Sequence, residues 1–314
     1  MRKLGLLCVL MGVLGFTGGA FAAYPEKPVT IIVPSNAGGG TDTMARLVAK
    51  FAEEHLGQPI VIVNKPGAGG QIGFEYIARA KADGYTIGCI YTPHVAAHVS
   101  AGRAKYTMDS FAPIANVVTD PGIIVVPSSS PFNTLEELVA HAKENPGKMT
   151  GSTSGPGGDD DFALRQLEKS AGIAINAVPS KGSAEQKAAI MGAHLDMAFM
   201  NVSQVDAQLE SGELKALGVM TKNRWNTLPN VPTCVEQGYE VLSDSSRGFA
   251  VPAGVPDDVM AKIIEVFDSA LKDPEFIEAS KGQLLLDVFQ GDVYGDYLRT
   301  LQKNTDAAFA VAPW

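Results

Sequence analysis

The sequence is poor in cysteine, in tryptophan and in positive charge. Its 314 residues include three Cys and two Trp, and 34 acidic side chains outnumber 25 Lys and Arg, which gives a formal charge of −9. A surface this acidic has no excess of positive charge to attract a polyanion, which argues against nucleic acid or an anionic membrane as a general partner. A small anionic ligand is still compatible with it, because one pocket can oppose the mean charge of the surface.

Long apolar runs are also scarce. Residues 4–16 form one behind the cationic Arg2 and Lys3, and the small-x-small pattern Ala20-Phe21-Ala22 follows. This pattern predicts a secretory signal peptide over residues 1–22, cleaved before Ala23, because the run is too short to span a bilayer. Removing Arg2 and Lys3 takes the formal charge from −9 to −11. No later stretch has 18 uninterrupted apolar residues, so we expect a soluble mature chain.

Two cysteines remain after the predicted cleavage. Cys89 lies in an apolar, strand-like run, and Cys234 lies at an apparent helix start. Export permits a disulfide, but both are ordinary positions for a small buried hydrophobe, which favours free, buried thiols. Neither has a His or a cation beside it in the sequence that would activate a thiolate.

Motifs for metal, nucleotide or nucleophilic chemistry are missing. His94 and His98 have ligand-like spacing but lack the Glu that follows the first His of a zincin helix. The glycine-rich residues 37–41 have no P-loop Lys, and residues 151–155 carry Thr153 where a nucleophile elbow needs Ser. We therefore expect no metal, no cofactor and no catalytic residue. The absence of these motifs favours a binding function over catalysis.

Strand, loop and helix alternate along the chain, which is typical of parallel sheets covered by helices. The apolar runs predict strands at Val29–Val33, 60–63, Thr86–Tyr91, Thr150–Thr153, 175–178, 197–200 and Leu214–Val219. The helix starts and the helical spacing predict helices at 134–144, 162–170, 184–191, 205–211, Asp257–Lys272 and 294–308. The rhythm changes at 113–126, where two β-rich runs, 114–118 and 123–126, are separated by a turn.

This change of rhythm predicts that the chain crosses between two lobes. A second crossing is expected near residues 243–247. We expect residues 23–121 and 247–314 to form the first α/β lobe and residues 122–246 to form the second. Two crossings form a hinge with a cleft, and ligands of such sheets bind at loops that leave the carboxyl ends of the strands.

Two glycine-rich turns, at residues 35–42 and 152–160, each precede a predicted helix. Backbone N–H groups at a helix start carry the positive end of the dipole, and glycine lets a carboxylate approach them. Paired turns across a cleft can grip a carboxylate without a fixed cation. Alternatively, each is only a tight connection between a strand and a helix.

Short motifs over nearly the whole mature chain resemble one family. They are YPEKPV at 24–29, IIVP at 31–34, AGGGTD at 37–42, NKPGAGG at 64–70, DGYT at 83–86, AKENPG at 142–147, LPNVPT at 228–233 and VPAGVP at 251–256. Together they resemble the Bug receptors of the TctC family, the substrate-binding proteins of tripartite tricarboxylate transporters.

The resemblance implies a monomeric periplasmic binding protein with a two-lobed α/β fold of the Venus-flytrap, type II-like class. Such a receptor binds a small organic carboxylate, which is a di- or tricarboxylate, an acidic amino acid or an aromatic acid. It delivers this ligand to a large and a small permease subunit in the membrane. Two alternatives stay open: a ligand-sensing receptor for a membrane kinase, and a secreted enzyme built on the same fold.

The resemblance also implies the residues of the binding site. They are Ser35, Asn36, Gly38, Gly39 and Thr41 in the first turn, and Ser152, Ser154, Gly157 and Gly158 in the second. Asp42 fits a cap of its helix better than a contact with an anion.

The chain departs from the family pattern at three candidate positions. Ser35 stands where relatives often have an aromatic residue, and Ser180 where they often have Tyr, which predicts a wider and more polar pocket. Asp161 replaces a His of one branch. Asp161 either favours the helix N-terminus or meets a donor or cation of the ligand.

Two cations and an amide complete the candidate site. Lys181 follows the predicted strand 175–178, and Arg247 lies at the second crossing, where it can make a bidentate contact with a distal carboxylate. Each is alternatively a solvated or interlobe cation. Asn201 follows the strand 197–200 and either donates to the ligand or forms a turn.

Overall fold

The computed structural model describes residues 24–311 and 313–314, which form two α/β lobes joined by long strands. The predicted signal peptide, residues 1–22, lies outside the described residues. The first elements are β1 (Val29–Val33), α1 (Gly40–Leu56), β2 (Ile60–Asn64), α2 (Gln71–Ala78), β3 (Thr86–Tyr91), α3 (His94–Ser100) and β4 (Phe111–Pro127). There follow α4 (Leu135–Glu144), β5 (Thr150–Thr153), α5 (Asp159–Ala171), β6 (Asn176–Pro179), α6 (Ser183–Met191), β7 (Met197–Asn201), α7 (Val202–Glu210), β8 (Leu214–Val219), β9 (Asp244–Pro252), α8 (Asp257–Lys272), α9 (Pro274–Ser280), β10 (Leu286–Gln290) and α10 (Gly291–Val311).

The strands pair in the order β2-β1-β3-β9-β4-β7-β5-β6, and β8 and β10 also pair with β4. In the first lobe β1 runs parallel to β2 and β3, and in the second β5 runs parallel to β6 and β7. The crossing strands β4 and β9 are antiparallel to each other and to their other partners. The predicted parallel strand pairs are therefore confirmed. β10 was not predicted, because its region was expected to be mainly helical.

Each lobe has its own apolar core. In the first lobe the buried stripe of α1, which includes Met44, Val48 and Phe51, packs against β1 and α8. Full burial of one such side chain contributes roughly 1.5–3 kcal/mol. In the second lobe Leu164 of α5 and Phe199 of β7 lie in a separate cluster. No helix in the described part of the chain is both long and apolar enough to cross a membrane.

The first crossing differs from the prediction of two runs and a turn. β4 is one strand of 17 residues. Asp120, Pro121 and Gly122 read as a turn in the sequence, but Asp120 pairs with Ser245 and Pro121 with Asp244 of β9, and these pairs keep the segment extended. Beyond that point β4 pairs with β7 and β8, so the same strand enters the second lobe.

Both described cysteines are unpaired and buried, as expected. Cys89 lies in β3, as predicted, but the helix expected to begin near Cys234 is only a turn that Gly238 ends with φ +86°. Burial raises the pKa of the Cys234 thiol to about 12 and that of Cys89 well above its ordinary value. Neither thiol is therefore an available nucleophile at neutral pH.

The capping box predicted at Thr134 is present at the start of α4. The Glu137 N–H donates to Thr134 Oγ1 at 3.1 Å, and the Thr134 N–H donates to the Glu137 carboxylate at 3.3 Å. Thr134→Val removes the hydroxyl acceptor at similar volume and should lower the free energy of unfolding by about 1 kcal/mol in urea titrations. Thr134→Ser, which keeps the hydroxyl, is the control; equal losses in both variants would contradict the cap.

Candidate functional site

The two glycine-rich turns are structural equivalents. Gly38 and Gly157 have φ of +77° and +80°, a region that only glycine adopts readily. The N–H of Gly38 donates to Asp42 Oδ2 at 2.9 Å, and the N–H of Gly157 donates to Asp161 Oδ2 at 2.9 Å. The residues that cap the two helices, Gly39 and Gly158, both have φ of −80°.

An arginine one turn further along each helix completes the equivalence. Arg46 Nε donates to Asp42 at 2.9 Å, and Arg165 Nε donates to Asp161 at 3.1 Å. Burial alone would raise the pKa of Asp42, but bonds from Arg46, Gly38 and Asn64 lower it overall. Both carboxylates are thus engaged by their own turns. This geometry agrees with the expected capping role of Asp42 and places Asp161 in the same role.

An inner cavity of about 50 Å³ lies between the two turns. Six predicted residues line it: Ser35, Thr41, Ser154, Lys181, Asn201 and Arg247. Other lining residues that the sequence reasoning missed include Tyr91, His94, Asp159, Asp160, Gln186 and Gln204. A larger hollow of about 440 Å³ shares Asp159 with the inner cavity and is also lined by Thr92, Phe162 and Tyr297, but it touches neither turn's glycines.

The remaining predicted residues lie around this cavity. Gly38 borders a neighbouring groove with Ser183, and Ser180 borders an outer chamber beside the cavity. The residues that do not line the inner cavity but belong to the turns or their strands are Asn36, Gly39, Ser152, Gly157, Gly158 and Asp161. These six residues belong to the segments that carry the lining residues and do not themselves line the inner cavity.

The cleft is closed by contacts between the lobes. The N–H of Gly40 donates to Ser183 Oγ at 3.4 Å, and His94 Nε2 donates to the Ser154 carbonyl at 3.4 Å. A Cβ atom on Gly39 would lie 3.2 Å from Ser183 Oγ. The first turn therefore lies against α6 of the second lobe with little spare room.

The hydroxyls of Ser35 and Ser154 are buried and have no hydrogen-bond partner in the described chain. Both residues line the inner cavity, one from each lobe. A buried hydroxyl without a partner costs about 1–3 kcal/mol. A ligand or water in the cavity would satisfy both hydroxyls.

Arg247 is held by a buried network that spans the hinge. It is 3% exposed and donates through Nη1 to Asp120 Oδ2 at 2.7 Å and through Nη2 to Asn201 Oδ1 at 2.7 Å. Asn201 Nδ2 in turn donates to Asp159 Oδ2 at 2.9 Å. The charge of Arg247 is therefore balanced by Asp120, and Asn201 both caps α7 and faces the cavity.

Asp159 and Asp160 make one wall of the cavity acidic. Burial raises the pKa of Asp159 to about 6, although the bond from Asn201 and the charge of Arg247 oppose this. Burial and the neighbouring Asp159 raise the pKa of Asp160. Asp160 accepts bonds from the Ser154 N–H at 3.1 Å and from Gln186 Nε2 at 3.0 Å. The run of three Asp in the sequence signalled a helix start but not this exposure to the cavity.

Two buried histidines lie near the same wall. Burial lowers the pKa of His94 and of His98 to about 4, so both rings are neutral at pH 7. His98 Nε2 donates to the Gly69 carbonyl at 3.0 Å. Each ring thus bonds a backbone carbonyl, which gives the pair a structural role.

The raised pKa of Asp159 predicts a pH-dependent cost to the fold. The folded protein binds this proton more tightly than the unfolded chain, so the contribution of Asp159 to stability is present below about pH 4 and is lost as pH rises through about 6. Asp159→Asn stays neutral and can still accept from Asn201. We expect the free energy of unfolding of the variant, relative to the parent, to be higher at pH 8 than at pH 4.

Urea titrations at both pH values measure this difference. Asp109→Asn, the same change at an exposed position, is the matched control. A difference between variant and parent that is the same at both pH values would contradict the buried-acid interpretation.

Comparisons with known proteins agree with this geometry. A UPF0065 protein of Agrobacterium vitis is 34% identical over 269 residues, covering 85% of this chain and 78% of the relative. The solved structure of the periplasmic binding protein BugD superposes with a TM-score of 0.84 at 30% identity, covering 92% of this chain and 98% of BugD. MatC of Rhodopseudomonas palustris, solved with bound malate, shares the fold with a TM-score of 0.83 at 23% identity over 90% of this chain and 99% of MatC.

The family model described as "Tripartite tricarboxylate transporter family receptor" matches residues 44–306, which include the second turn, both crossing strands and most of the cavity wall. This match agrees with the resemblance carried by the sequence motifs. The chain belongs to the TctC family of tripartite tricarboxylate transporter receptors, the family that includes the Bug proteins.

Proposed function

We propose that this protein is a periplasmic receptor that binds a small organic carboxylate between its lobes and delivers it to the membrane permease of a tripartite tricarboxylate transporter. The observation that carries the proposal is the pairing of the two turns across one cavity. Each lobe presents a helix start, whose first N–H groups have no partner within the helix. Each lobe also adds one buried hydroxyl without a partner, on Ser35 and Ser154. These are donors, and donors suit a carboxylate.

The proposed mechanism is hinge closure stabilised by the ligand. The junctions between residues 121 and 122 and between 246 and 247, our proposed lobe boundaries, fall inside β4 and β9, so a small bend in two paired strands changes the width of the cleft. A carboxylate that contacts both turns is held fully only when the lobes are closed. Its differential affinity for the closed state then shifts the population toward closure.

The role of a receptor without catalysis fits the chemistry of the wall. Arg247 is paired with Asp120 and bonded to Asn201, and His94 is neutral and bonded to a carbonyl. These groups hold the shape of the site. The malate found in MatC, which has the same fold, supports a carboxylate as the ligand class.

Removal of one orphan hydroxyl tests the proposed cavity. We expect calorimetric titration with malate, succinate, citrate, glutamate and benzoate to identify at least one binder, which at 100 times its Kd stabilises the fold by about 2.7 kcal/mol. Ser154→Ala should weaken that binder by roughly tenfold, because one charge-assisted hydrogen bond of about 1.4 kcal/mol is lost. Ser211→Ala, in an exposed turn of the same lobe, is the control.

The proposal fails if no acid of this panel, which spans the three expected ligand classes, raises the melting temperature. It also fails if Ser154→Ala and Ser211→Ala bind equally well. Retained melting temperatures of the unliganded variants separate loss of binding from loss of fold.

Lobe closure is tested at Gly39. Because a Cβ there already lies 3.2 Å from Ser183 Oγ of the other lobe, Gly39→Leu should hold the cleft open while each lobe keeps its core. We expect a larger radius of gyration by small-angle scattering and at least a hundredfold loss of affinity. Gly39→Leu combined with Ser183→Gly should recover part of both; no recovery would show that the leucine acts elsewhere.

A further inference from the structure

An outer chamber of about 270 Å³ adjoins the inner cavity at the interface of the lobes. Gln71, His98 and Arg103 line it from the first lobe, and Pro156, Ser180 and Lys181 line it from the second. Gly69 and Lys181 line both spaces, so the chamber is a continuation of the site. Arg103 was not among the residues expected from the sequence.

The chamber is positively charged. Arg103 and Lys181 face it from opposite lobes, and none of the described residues that line it is acidic. The Lys181 ammonium makes no hydrogen bond or ion pair with a described residue. The Glu185 carboxylate accepts from the Lys181 backbone N–H at 2.7 Å. Two cations that approach each other as the lobes close repel unless an anion lies between them.

Arg103 is only partly engaged. Its Nη2 donates to the Pro156 carbonyl across the cleft at 3.4 Å, whereas its buried Nε has no partner in the described chain. Its backbone is fixed by the bond from Gln71 Nε2 to the Arg103 carbonyl at 2.7 Å. The guanidinium therefore lies at the wall of the chamber with N–H donors that have no partner in the described chain. A planar guanidinium with free donors can bind a carboxylate through two parallel hydrogen bonds.

The inner cavity is too small for both anionic groups of an elongated diacid. At roughly 10–15 Å³ for each water-sized group, its 50 Å³ has room for one carboxylate. Its one arginine, Arg247, is balanced by Asp120, and burial raises the pKa of Asp159 and of Asp160 in the same wall. Lys181 lies at the border with the chamber, and Arg103 lies in the chamber, so a second anionic group finds its cations there.

We propose that Arg103 and Lys181 form an anion subsite that takes the second anionic group of an elongated diacid whose first carboxylate lies in the inner cavity. This inference rests on the proposed function, which supplies the first carboxylate. It assigns selectivity for the distal group to the outer chamber and leaves Arg247 a positioning role at the hinge.

Matched pairs of probes test the subsite. Calorimetry with the whole protein compares glutarate, adipate and pimelate with pentanoate, hexanoate and heptanoate, which keep the chain length and lose one charge. We expect at least one diacid to bind about tenfold or more tightly than its monoacid partner. Arg103→Gln should reduce that ratio to about threefold or less, with the affinity for the monoacid changed by less than about twofold.

Variants at two lysines complete the design. Lys181→Gln should also reduce the ratio, whereas Lys187→Gln, on α6 of the same lobe but facing another groove, should leave it unchanged. Melting temperatures establish that each variant is folded. Arg103→Lys keeps the charge but loses the planar fork, and should retain part of the preference for the diacid.

The outcomes separate the two proposals. Binding of monoacids as tight as that of diacids in the parent protein would overturn the subsite and leave the carboxylate receptor standing. Equal losses of diacid and monoacid affinity in Arg103→Gln would also overturn it, because the arginine would then act on the shared carboxylate or on closure. Absence of binding by every acid in both panels would overturn both.

Discussion

A single hydrogen bond, made once in each lobe, shapes the cleft. A glycine N–H donates to a buried aspartate one turn into the following helix, from Gly38 to Asp42 and from Gly157 to Asp161, both at 2.9 Å. The bond needs a positive φ at the glycine and a carboxyl oxygen that accepts its N–H. It pins each turn across the start of its helix and leaves the neighbouring N–H groups, such as that of Gly40, directed at the other lobe.

The hinge depends on a second buried arrangement. Asp120 of β4, Arg247 of β9 and Asn201 at the end of β7 bond one another, and Asn201 reaches Asp159 at the start of α5. Desolvation of such a pair costs several kcal/mol for each ion, and good geometry with further hydrogen bonds offsets it. Removing one member would leave a buried charge uncompensated. The network therefore fixes the register of the crossing strands at the point where the lobes join.

Most of the fold could be predicted from the sequence, because its local signals agree with its tertiary structure. Apolar runs such as Val29–Val33 became buried strands, and the Thr134 capping box began its helix. The prediction was wrong where tertiary pairing overrode local chemistry. Asp120-Pro121-Gly122 has the composition of a turn, yet pairing with β9 holds it extended.

The site was predicted in part. The glycine pattern located the two turns, and the family resemblance placed Ser35, Thr41 and Ser154 at the site; all three line the cavity. Lys181, Asn201 and Arg247, chosen for their places after strands and at the crossing, line it too. Gln186 and Arg103 have no such signal in the sequence. Gln186 is positioned by its bonds to Asp160 and to the Phe199 carbonyl within the second lobe. Arg103 reaches the cleft through a contact with Pro156 of the other lobe, 53 positions away. The equivalence of Asp42 and Asp161 was also hidden, because the segments around them share few residues.

The two helix starts differ in the residues that follow the capping glycine, and this asymmetry suits the proposed binding of an anion by so acidic a protein. The positions after the capping glycine are Gly40 and Thr41 in the first lobe and Asp159 and Asp160 in the second. The first helix start thus presents backbone N–H groups, of which that of Gly40 bonds Ser183 Oγ. The second presents carboxyl groups that are satisfied by the neutral amides of Asn201 and Gln186. We therefore expect the first carboxylate of the proposed diacid to lie against the first turn and its second anionic group to lie near Arg103 and Lys181. The formal charge of −9 acts at long range, where salt screens it over about 8–10 Å, while capture depends on donors within hydrogen-bond distance.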